Sequence, residues 1–408
     1  MEKKERKDFA KMKKEFKVTD YGVTPGLERL QTKELQVVFD MCREEGGIVR
    51  FPAGVYRTAS LRLWSDMTLY LEKGAVLRGS DICEDYEVYP IPEGVALRTD
   101  MELIPQYYQN RPWDTYRRAI LSAFGEKNIS IIGEEGSLID GDDCADPNGE
   151  EGYRGPHGIF LSNVDNITLR GYQINDCGNF MHQIDNCKNI VMQNVNCSGG
   201  SDGIHLHHCE DILIEDCIFH TGDDCIAGIN MKNLTVRRCE LNTSCQVFRA
   251  GGIHILVEDC RIWGPGIFPH RITIVQNRFT DLVRKKENTL PLECGRHTML
   301  ALFLHFASTT FPNPEPYHDV AFRNCTVENV EKCMDYSADH GPLQSGTHLT
   351  DIRFENVTFT GLGGPSTVSA SAEEPLTVHL KNVAVSMRDG GEARLFDGED
   401  KNTRIVIE

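Results

Sequence analysis

Apolar and polar residues alternate in short phrases that recur along the chain at a nearly constant spacing. Each phrase alternates over four to six residues, which is the period of a β-strand. The clearest copies are "KNIVMQNVNC" from Lys188, "EDILIEDCIF" from Glu210, "KNLTVRRCEL" from Lys232 and "IHILVEDCRI" from Ile253. The second positions of successive copies are Asn166, Asn189, Asp211, Asn233 and His254.

A repeat of about 22 residues built from short strands predicts a solenoid, in which each coil buries its apolar row against the next. A leucine-rich repeat has a comparable period, but its framework of spaced leucines with asparagine is absent here. A parallel β-helix fits better, with two or three strands in each coil. Asn189, Asp211 and Asn233 then recur at one repeat position, where we expect them to cap turns.

Two regions depart from the repeat. The block Thr32–Ser80 opens with a helical pattern and continues as strands separated by glycine and proline, so we expect it to start the solenoid. Residues 276–317 break the period and predict a long loop or lid. No stretch has the composition of an interdomain linker. We therefore predict an all-β chain with a single β-helix domain over residues 18–408.

The N-terminal extension, residues 1–17, is basic and has apolar side chains at helical spacing. Phe9, Met12 and Phe16 lie at i, i+3 and i+7, which predicts a short amphipathic helix. We expect this helix to cap the N-terminal end of the solenoid. The extension lacks the apolar core and cleavage site of a secretory signal, so we expect a cytoplasmic location.

The chain contains fifteen cysteines, an odd number with no C-x-x-C pair. This pattern disfavours complete disulfide pairing and zinc ribbons, and the cytosol keeps thiols reduced. Five of the cysteines end the repeated strand phrase, so we expect them to form an internal ladder of small buried groups: Cys197, Cys217, Cys239, Cys260 and Cys325.

The net charge of −18 disfavours nucleic acid, anionic membranes and highly charged pectin as partners, because like charges repel at long range. No apolar run approaches the roughly 20 residues that a membrane-spanning helix needs. We expect no nucleic-acid or membrane partner.

Three aspartates fall where the repeat would bring them together. Asp223 and Asp224 are adjacent in "TGDDCIAG", and Asp202 stands about one repeat before them. Gly-Asp clusters often mark ordinary turns, but a step of one repeat places Asp202 beside the pair on the next coil. Two charges about 5 Å apart repel by roughly 3 kcal/mol at an effective dielectric constant of about 20. One carboxyl should therefore keep its proton near neutral pH, a division of acid and base that suits glycoside hydrolysis.

Four motifs, in order and correctly spaced, resemble the polygalacturonase-like enzymes of glycoside hydrolase family 28: "GGIVRFPAGVYRTASLRL", "LYLEKGAVLRGS", "SDGIHL" and "GDDCIA". The resemblance runs from about Phe16 to Cys260 and more loosely to the C-terminus. It implies a right-handed parallel β-helix of the pectin-lyase-like superfamily and an inverting hydrolase. By this resemblance Asp223 is the general acid, and Asp202 and Asp224 activate water. An inverting enzyme separates its acid and base by about 6.5–9.5 Å.

Three departures from the family pattern affect substrate recognition rather than acid–base chemistry. The Gly-His-Gly motif is replaced by "SCQVFRAGG", with Cys245 near the place of the histidine. The Arg-Ile-Lys motif that grips a substrate carboxylate loses its lysine and keeps its arginine, as Arg271. The aspartate usual three residues after the first catalytic one is replaced by His205.

The predicted substrate contacts are His205, Arg249 and Arg271. His205 and His207 alternate with apolar residues, so both should point outward, and His205 is either a substrate ligand or plain surface. Arg249 replaces a small residue near the groove. Arg271 is preferred over its neighbour His270. We expect no metal and no other cofactor.

The sequence thus predicts a cytoplasmic glycoside hydrolase that trims small pectin-derived or related oligosaccharides from their ends. A β-helix sugar lyase or transferase, or a catalytically silent carbohydrate-binding solenoid, remains an alternative. Calcium dependence would identify the lyase, and turnover of aryl glycosides would exclude the silent solenoid. The sugar, the linkage and the oligomeric state are left open.

Overall fold

Strands of successive coils stack in three parallel ladders, which form the three faces of a right-handed parallel β-helix. The computed structural model describes residues 14–95, 113–277, 295–309, 311–338, 346–398 and 400–408. The predicted all-β solenoid is confirmed.

The strands are, in chain order, β1 (Glu15–Lys17), β2 (Gly47–Phe51), β3 (Gly54–Arg57), β4 (Leu61–Arg62), β5 (Met67–Leu71), β6 (Ala75–Arg78), β7 (Ala119–Phe124), β8 (Lys127–Gly133), β9 (Leu138–Asp140), β10 (His157–Ser162), β11 (Asp165–Arg170), β12 (Gln173–Asn175), β13 (His182–Asp185), β14 (Lys188–Gln193), β15 (Asn196–Gly199), β16 (Ile204–His207), β17 (Glu210–Glu215), β18 (Ile218–Thr221), β19 (Ile226–Arg237), β20 (Glu240–Thr243), β21 (Gln246–Glu258), β22 (Arg261–Trp263), β23 (Ala301–His305), β24 (Val320–Arg323), β25 (Thr326–Glu328), β26 (Lys332–Ser337), β27 (Asp351–Glu355), β28 (Thr358–Leu362), β29 (Val368–Ser369), β30 (Leu376–Lys381), β31 (Ala384–Met387) and β32 (Thr403–Ile407).

Each coil contributes one strand to each face in turn. In one coil β10, β11 and β12 lie on the first, second and third faces, and β13, β14 and β15 pair with them in the next coil. The long strands β19 and β21 each run through the first and second faces without a break. Among the described residues the α-helices are α1 (Thr32–Asp40) and α2 (Arg271–Gln276), and short 3-10 helices span Val18–Tyr21, Cys83–Asp85, Trp113–Arg117 and Glu150–Gly152.

The register between coils confirms the predicted repeat. On the second face Asp165 lies opposite Lys188, Lys188 opposite Glu210, Glu210 opposite Lys232, and Lys232 opposite Ile253. These pairs reproduce the steps between successive phrases of the sequence. The side chains two positions further on point inward and form one buried aliphatic row: Ile167, Ile190, Ile212, Leu234 and Ile255.

The second residue of each second-face strand turns the corner between the first and second faces. Asn166, Asn189, Asp211 and Asn233 have φ values of 65°, 55°, 58° and 57°. Asparagine and aspartate tolerate this left-handed region better than most residues. The amides also bond between coils, since Asn189 Nδ2 donates to Asn166 Oδ1 at 3.0 Å. The turn function predicted for these residues is confirmed.

Four of the five predicted ladder cysteines stack in one row. Cys217, Cys239, Cys260 and Cys325 each precede a third-face strand, are buried and are unbridged. Cys197 does not belong to this row, because it lies inside β15 opposite Phe219, two positions past that of Cys217. The cysteines of the described residues are free thiols, and every one except the half-buried Cys245 is buried.

The predicted N-terminal helix and the predicted loop at residues 276–317 both fall partly outside the described residues. Of the residues that predicted an N-terminal helix, Phe9 and Met12 lie outside the described residues, and Phe16 lies in β1. Among the described residues at this end, the helix α1 buries Leu35, Val38 and Phe39. Within residues 276–317, β23 is a regular first-face strand between β21 and β26, and the remainder includes positions outside the described residues. No helix among the described residues is long and apolar enough to span a bilayer.

The corner position gives the first prediction. Replacing Asn189 by alanine should destabilise the protein more than replacing it by glycine, by about 1 kcal/mol, because only glycine accepts the left-handed conformation without strain. Urea unfolding of both variants measures the difference. Val191, in the same strand, is the control, since glycine should there be the more destabilising of the two. The same order at both positions would contradict this account of the corner.

Candidate active site

Asp223 and Asp224 lie in the short turn between β18 and β19, not in a regular strand. The turn leaves no room for a side chain at Gly222, where a Cβ would lie 2.2 Å from Pro269 O. The turn is fixed by Thr221 Oγ1, which donates to Asp223 O at 2.7 Å. Such a turn allows neighbouring carboxyls to point to the same side, which a regular strand would not.

Asp202 occupies the equivalent turn one coil earlier, between β15 and β16. Ile204 lies opposite Ile226 on the next coil. Asp202 therefore stacks on Asp224 and does not lie midway between Asp223 and Asp224. The Asp224 N–H donates to Asp202 Oδ1 at 3.2 Å and to Asp223 Oδ1 at 3.1 Å. One carboxylate oxygen from each of the three aspartates lies within 4.8 Å of the others. The structure thus brings the three predicted catalytic residues together.

Burial and the neighbouring charges give the three carboxyls different pKa values. Burial first, and then the charges of Asp223 and Asp224, raise the pKa of Asp202 well above its usual value. Burial and Asp223 raise the pKa of Asp224 to about 6. Burial would also raise the pKa of Asp223, but His270 and Arg154 outweigh it and hold that pKa well below its usual value. In the free site the proton therefore resides on Asp202, and Asp223 is ionised.

Arg154 is the partner of Asp223 that sequence reasoning missed. Its Nη2 donates to Asp223 Oδ2 at 2.6 Å, and its Nε donates to Glu151 Oε2 at 2.8 Å. The guanidinium also lies 5.0 Å from the ring centre of Phe180. Arg154 follows the 3-10 helix Glu150–Gly152, outside the repeat, so no spacing in the sequence pointed to it.

His270 and Cys245 also lie against Asp223. His270 Nε2 is 3.5 Å from Asp223 Oδ1, and both residues are about 8% exposed. One donor atom from each of Asp223, Cys245 and His270 lies within 4.8 Å of the other two. In the sequence Cys245 stands out only as a departure from the family motif, and Arg271 is preferred to His270 as a substrate contact. In the structure His270 lies against Asp223, and Arg271 pairs with Asp143.

His205 points outward as predicted, but it is not a surface residue. Its Nδ1 lies 2.9 Å from Asp202 Oδ2, although the two atoms are not aligned for a hydrogen bond. Its ring packs 4.5 Å from Phe180 and 6.4 Å from Phe306, which leave it 4% exposed. Burial lowers the pKa of His205 and of its neighbour His207, so both imidazoles are neutral.

Arg249 lies at the edge of the carboxyl cluster. Its Nη1 is 4.0 Å from Asp224 Oδ2, and its guanidinium stacks 4.1 Å from the ring centre of Phe306. The side chain is 26% exposed, against 5% for Arg154. Arg249 is therefore more accessible to a bound substrate than Arg154, which fits its predicted contact with substrate.

Arg271 requires a correction. Its side chain is 1% exposed and forms an ion pair with Asp143, while Nη1 donates to Cys177 O at 3.2 Å. Because Arg271 begins α2 and points into the protein, it would have to leave this buried pair before touching a substrate. The predicted contact between Arg271 and substrate has no support in this arrangement.

Comparisons with known proteins agree with this geometry. Residues 109–244, which include the three aspartates, match the family model described as glycosyl hydrolases family 28. An exo-poly-alpha-D-galacturonosidase from Dickeya chrysanthemi is 29% identical over 263 residues, which cover 52% of this chain and 41% of that protein. A polygalacturonase from Brassica napus is 34% identical over 262 residues, which cover 56% of this chain and 62% of that protein. This chain thus spans about half the length of the curated relatives it matches.

A solved structure shares the fold over nearly the whole chain. The family 28 exopolygalacturonase of Yersinia enterocolitica superposes with a TM-score of 0.65, covering 97% of this chain and 76% of that one at 18% identity. The sequence matches, the shared β-helix and the aspartate motifs agree with one another. The chain is therefore similar to glycosyl hydrolases family 28 over residues 109–244, and it shares the fold of the family 28 exopolygalacturonase.

Proposed function

We propose that this chain is a glycoside hydrolase that cleaves pectin-derived or related small oligosaccharides with Asp202, Asp223 and Asp224 as its reacting groups. The observation that carries the proposal is the gathering of three buried carboxyls from two adjacent coils within 4.8 Å. Such a cluster costs folding free energy through desolvation and repulsion. Hydrolysis of a glycosidic bond by an acid and a base accounts for a cluster that stability alone disfavours.

The proton must move from Asp202 to Asp223 before the glycosidic bond is cleaved. The resemblance assigns the general acid to Asp223, yet in the free site Arg154 and His270 keep Asp223 ionised and Asp202 holds the proton. We propose that a bound sugar weakens the contact between Arg154 and Asp223, which raises the proton affinity of Asp223. Transfer of the proton from Asp202 to Asp223 then prepares the acid and frees Asp202 to activate water with Asp224. The three carboxyls titrate as one coupled unit.

The stereochemical outcome rests on the family resemblance. One oxygen of each carboxyl lies within 4.8 Å of the other two. The separation of about 6.5–9.5 Å expected of an inverting pair refers to the two carboxyl groups as a whole, so it stays a prediction. We keep inversion as the proposal, and the anomeric configuration of the first-formed product, followed by NMR, tests it directly.

Substrate class and cellular location are parts of the proposal. The two relatives' names refer to galacturonosidase and polygalacturonase activity, and Arg249 offers a partly exposed cation for a sugar carboxylate. With Arg271 paired to Asp143, a uronate would depend on Arg249. We propose action on chain ends in the cytoplasm, where the buried free thiols would stay reduced.

Replacing Asp223 by asparagine tests the acid. We expect kcat on a cleaved oligosaccharide to fall by about 10²–10⁴-fold, which is the usual contribution of a general acid or base. Pectin-derived and neutral oligosaccharides would be followed by mass spectrometry, with Asp165→Asn, on an exposed position of β11, as the control. Binding without cleavage by the wild type would favour the silent solenoid. Unsaturated products that require calcium would favour a lyase.

Arg249 distinguishes a uronate from a neutral sugar. Arg249→Gln should raise KM for a galacturonide by about 10–100-fold, as expected for loss of one charge-assisted hydrogen bond, with little effect on a neutral substrate. Arg353→Gln, on the exposed side of β27, is the control. An equal loss on charged and neutral substrates would show that Arg249 does not read a carboxylate.

The ionisation of Asp224 should affect both hydrolytic activity and the free energy of unfolding. In the folded protein its pKa is raised from 3.8 to about 6, so the native state binds this proton more tightly than the unfolded chain. That contribution is complete below about pH 4 and is lost as the pH rises through about 6. Asp224→Asn should therefore increase the free energy of unfolding at about pH 7.5, by at most about 3 kcal/mol, and leave it nearly unchanged below about pH 4.

Urea unfolding at the two pH values measures this effect, and Asp165→Asn corrects for the loss of one carboxylate. The same Asp224→Asn variant should lose hydrolytic activity. If Asp224→Asn were less stable than the wild type only at the higher pH, this would contradict the proposal that ionised Asp224 destabilises the folded protein.

A further inference from the structure

The side chains of Asp223, Cys245 and His270 converge from three separate segments of the chain. Asp223 precedes β19, Cys245 immediately precedes β21, and His270 immediately precedes α2. Asp223 Oδ1 and His270 Nε2 are 3.5 Å apart, and one donor atom from each residue lies within 4.8 Å of the others. Ligand atoms around a tetrahedral zinc ion, with bonds of about 2.0–2.3 Å, are about 3.3–3.8 Å from one another.

Each of the three side chains also has an outer partner, which for Asp223 and His270 lies on the second polar atom and for Cys245 on Sγ itself. Arg154 donates to Asp223 Oδ2 at 2.6 Å, and Arg296 Nη2 lies 3.7 Å from Cys245 Sγ. His270 Nδ1 lies 3.2 Å from Thr273 Oγ1, which leaves Nε2 directed at Asp223. Metal-binding histidines and carboxylates are usually held in this way by a hydrogen bond on their second polar atom.

We propose that Asp223, Cys245 and His270 form a binding site for one thiophilic divalent transition-metal ion, of which Zn²⁺ is the best match. The donor set of one carboxylate, one thiolate and one imidazole suits this class, because calcium and magnesium prefer oxygen ligands only. Three protein ligands leave the fourth tetrahedral position for water or a sugar oxygen.

Binding of the ion has a defined proton balance. The Cys245 thiol loses its proton as the Zn–S bond forms, so that one Zn²⁺ and one thiol give a zinc thiolate and one released H⁺. Asp223 would bind as its carboxylate and His270 through an unprotonated ring nitrogen, so any proton that these two groups carry before binding is released as well.

This inference goes beyond the proposed hydrolase, because one carboxyl cannot serve two purposes at once. A metal-bound Asp223 cannot carry the proton that a general acid donates. The metal-bound and hydrolytic states of the site therefore exclude each other, and a stoichiometric amount of Zn²⁺ should inhibit hydrolysis reversibly.

Cobalt substitution tests the site without reference to activity. Reduced, chelator-treated protein would be titrated with Co²⁺, and we expect one equivalent to bind with a near-ultraviolet sulfur-to-cobalt charge-transfer band and the visible bands of tetrahedral cobalt. Zn²⁺ should displace the cobalt. Excess Ca²⁺ should leave the spectrum unchanged, since it lacks affinity for the thiolate.

Variants assign the ligands. Cys245→Ala should abolish the charge-transfer band, and His270→Gln should weaken Co²⁺ binding by at least about 10-fold. The matched control is Cys333→Ala, at a buried cysteine in β26, which should keep the full spectrum. Circular dichroism establishes that each variant is folded.

The absence of a sulfur-to-cobalt band in the wild type would overturn the proposal, as would an unchanged band in Cys245→Ala. Displacement of cobalt by Ca²⁺ would also overturn it and would place the ion among the three aspartates instead. These spectra are interpretable even if the chain cleaves no tested sugar, so failure of the metal site and failure of the proposed hydrolase are distinguishable.

Discussion

The parallel register between coils is the constraint on which the site depends. Backbone hydrogen bonds hold Ile204 opposite Ile226, and this pairing alone sets Asp202 on Asp224. A shift of the register by one position would send the alternating side chains to the opposite face, so the apolar rows that fix the register also fix the carboxyl cluster. Core packing spread over many coils thus adds to the local contacts in offsetting the cost of gathering the carboxyls.

The charges of the cluster are set from outside the repeat. Arg154 and His270 come from segments that leave the regular coils, and both act on Asp223. Asp202 has no comparable cation in direct contact among the described residues; its close neighbour is the neutral His205. The repeat therefore brings three similar carboxyls together, and residues from segments outside the regular coils give them different pKa values.

The difference between the regular repeat and the segments outside it explains which features the sequence could predict. The repeat period was sufficient to place Asp202, Asp223 and Asp224 together, and to foresee the corner asparagines and most of the cysteine row. Arg154 and Asp223 are 69 residues apart, and Arg271 and Asp143 are 128 apart, and none of the four residues lies in a repeated strand phrase. The burial of His205 was missed for the same reason, because Phe180 and Phe306 reach it from outside the alternating pattern.

One carboxylate stands at the centre of all three interpretations of the site. Asp223 is paired with Arg154 in the free structure, would be protonated in hydrolysis, and would be a ligand with a metal bound. The three states exclude one another. A carboxylate oxygen that accepts a proton or binds a metal ion is attracted less strongly by the guanidinium of Arg154. Arg154 is buried and also held by Glu151, so it can weaken its contact with Asp223 without losing every partner. That second partner is what makes a change of state at Asp223 energetically accessible in a buried site.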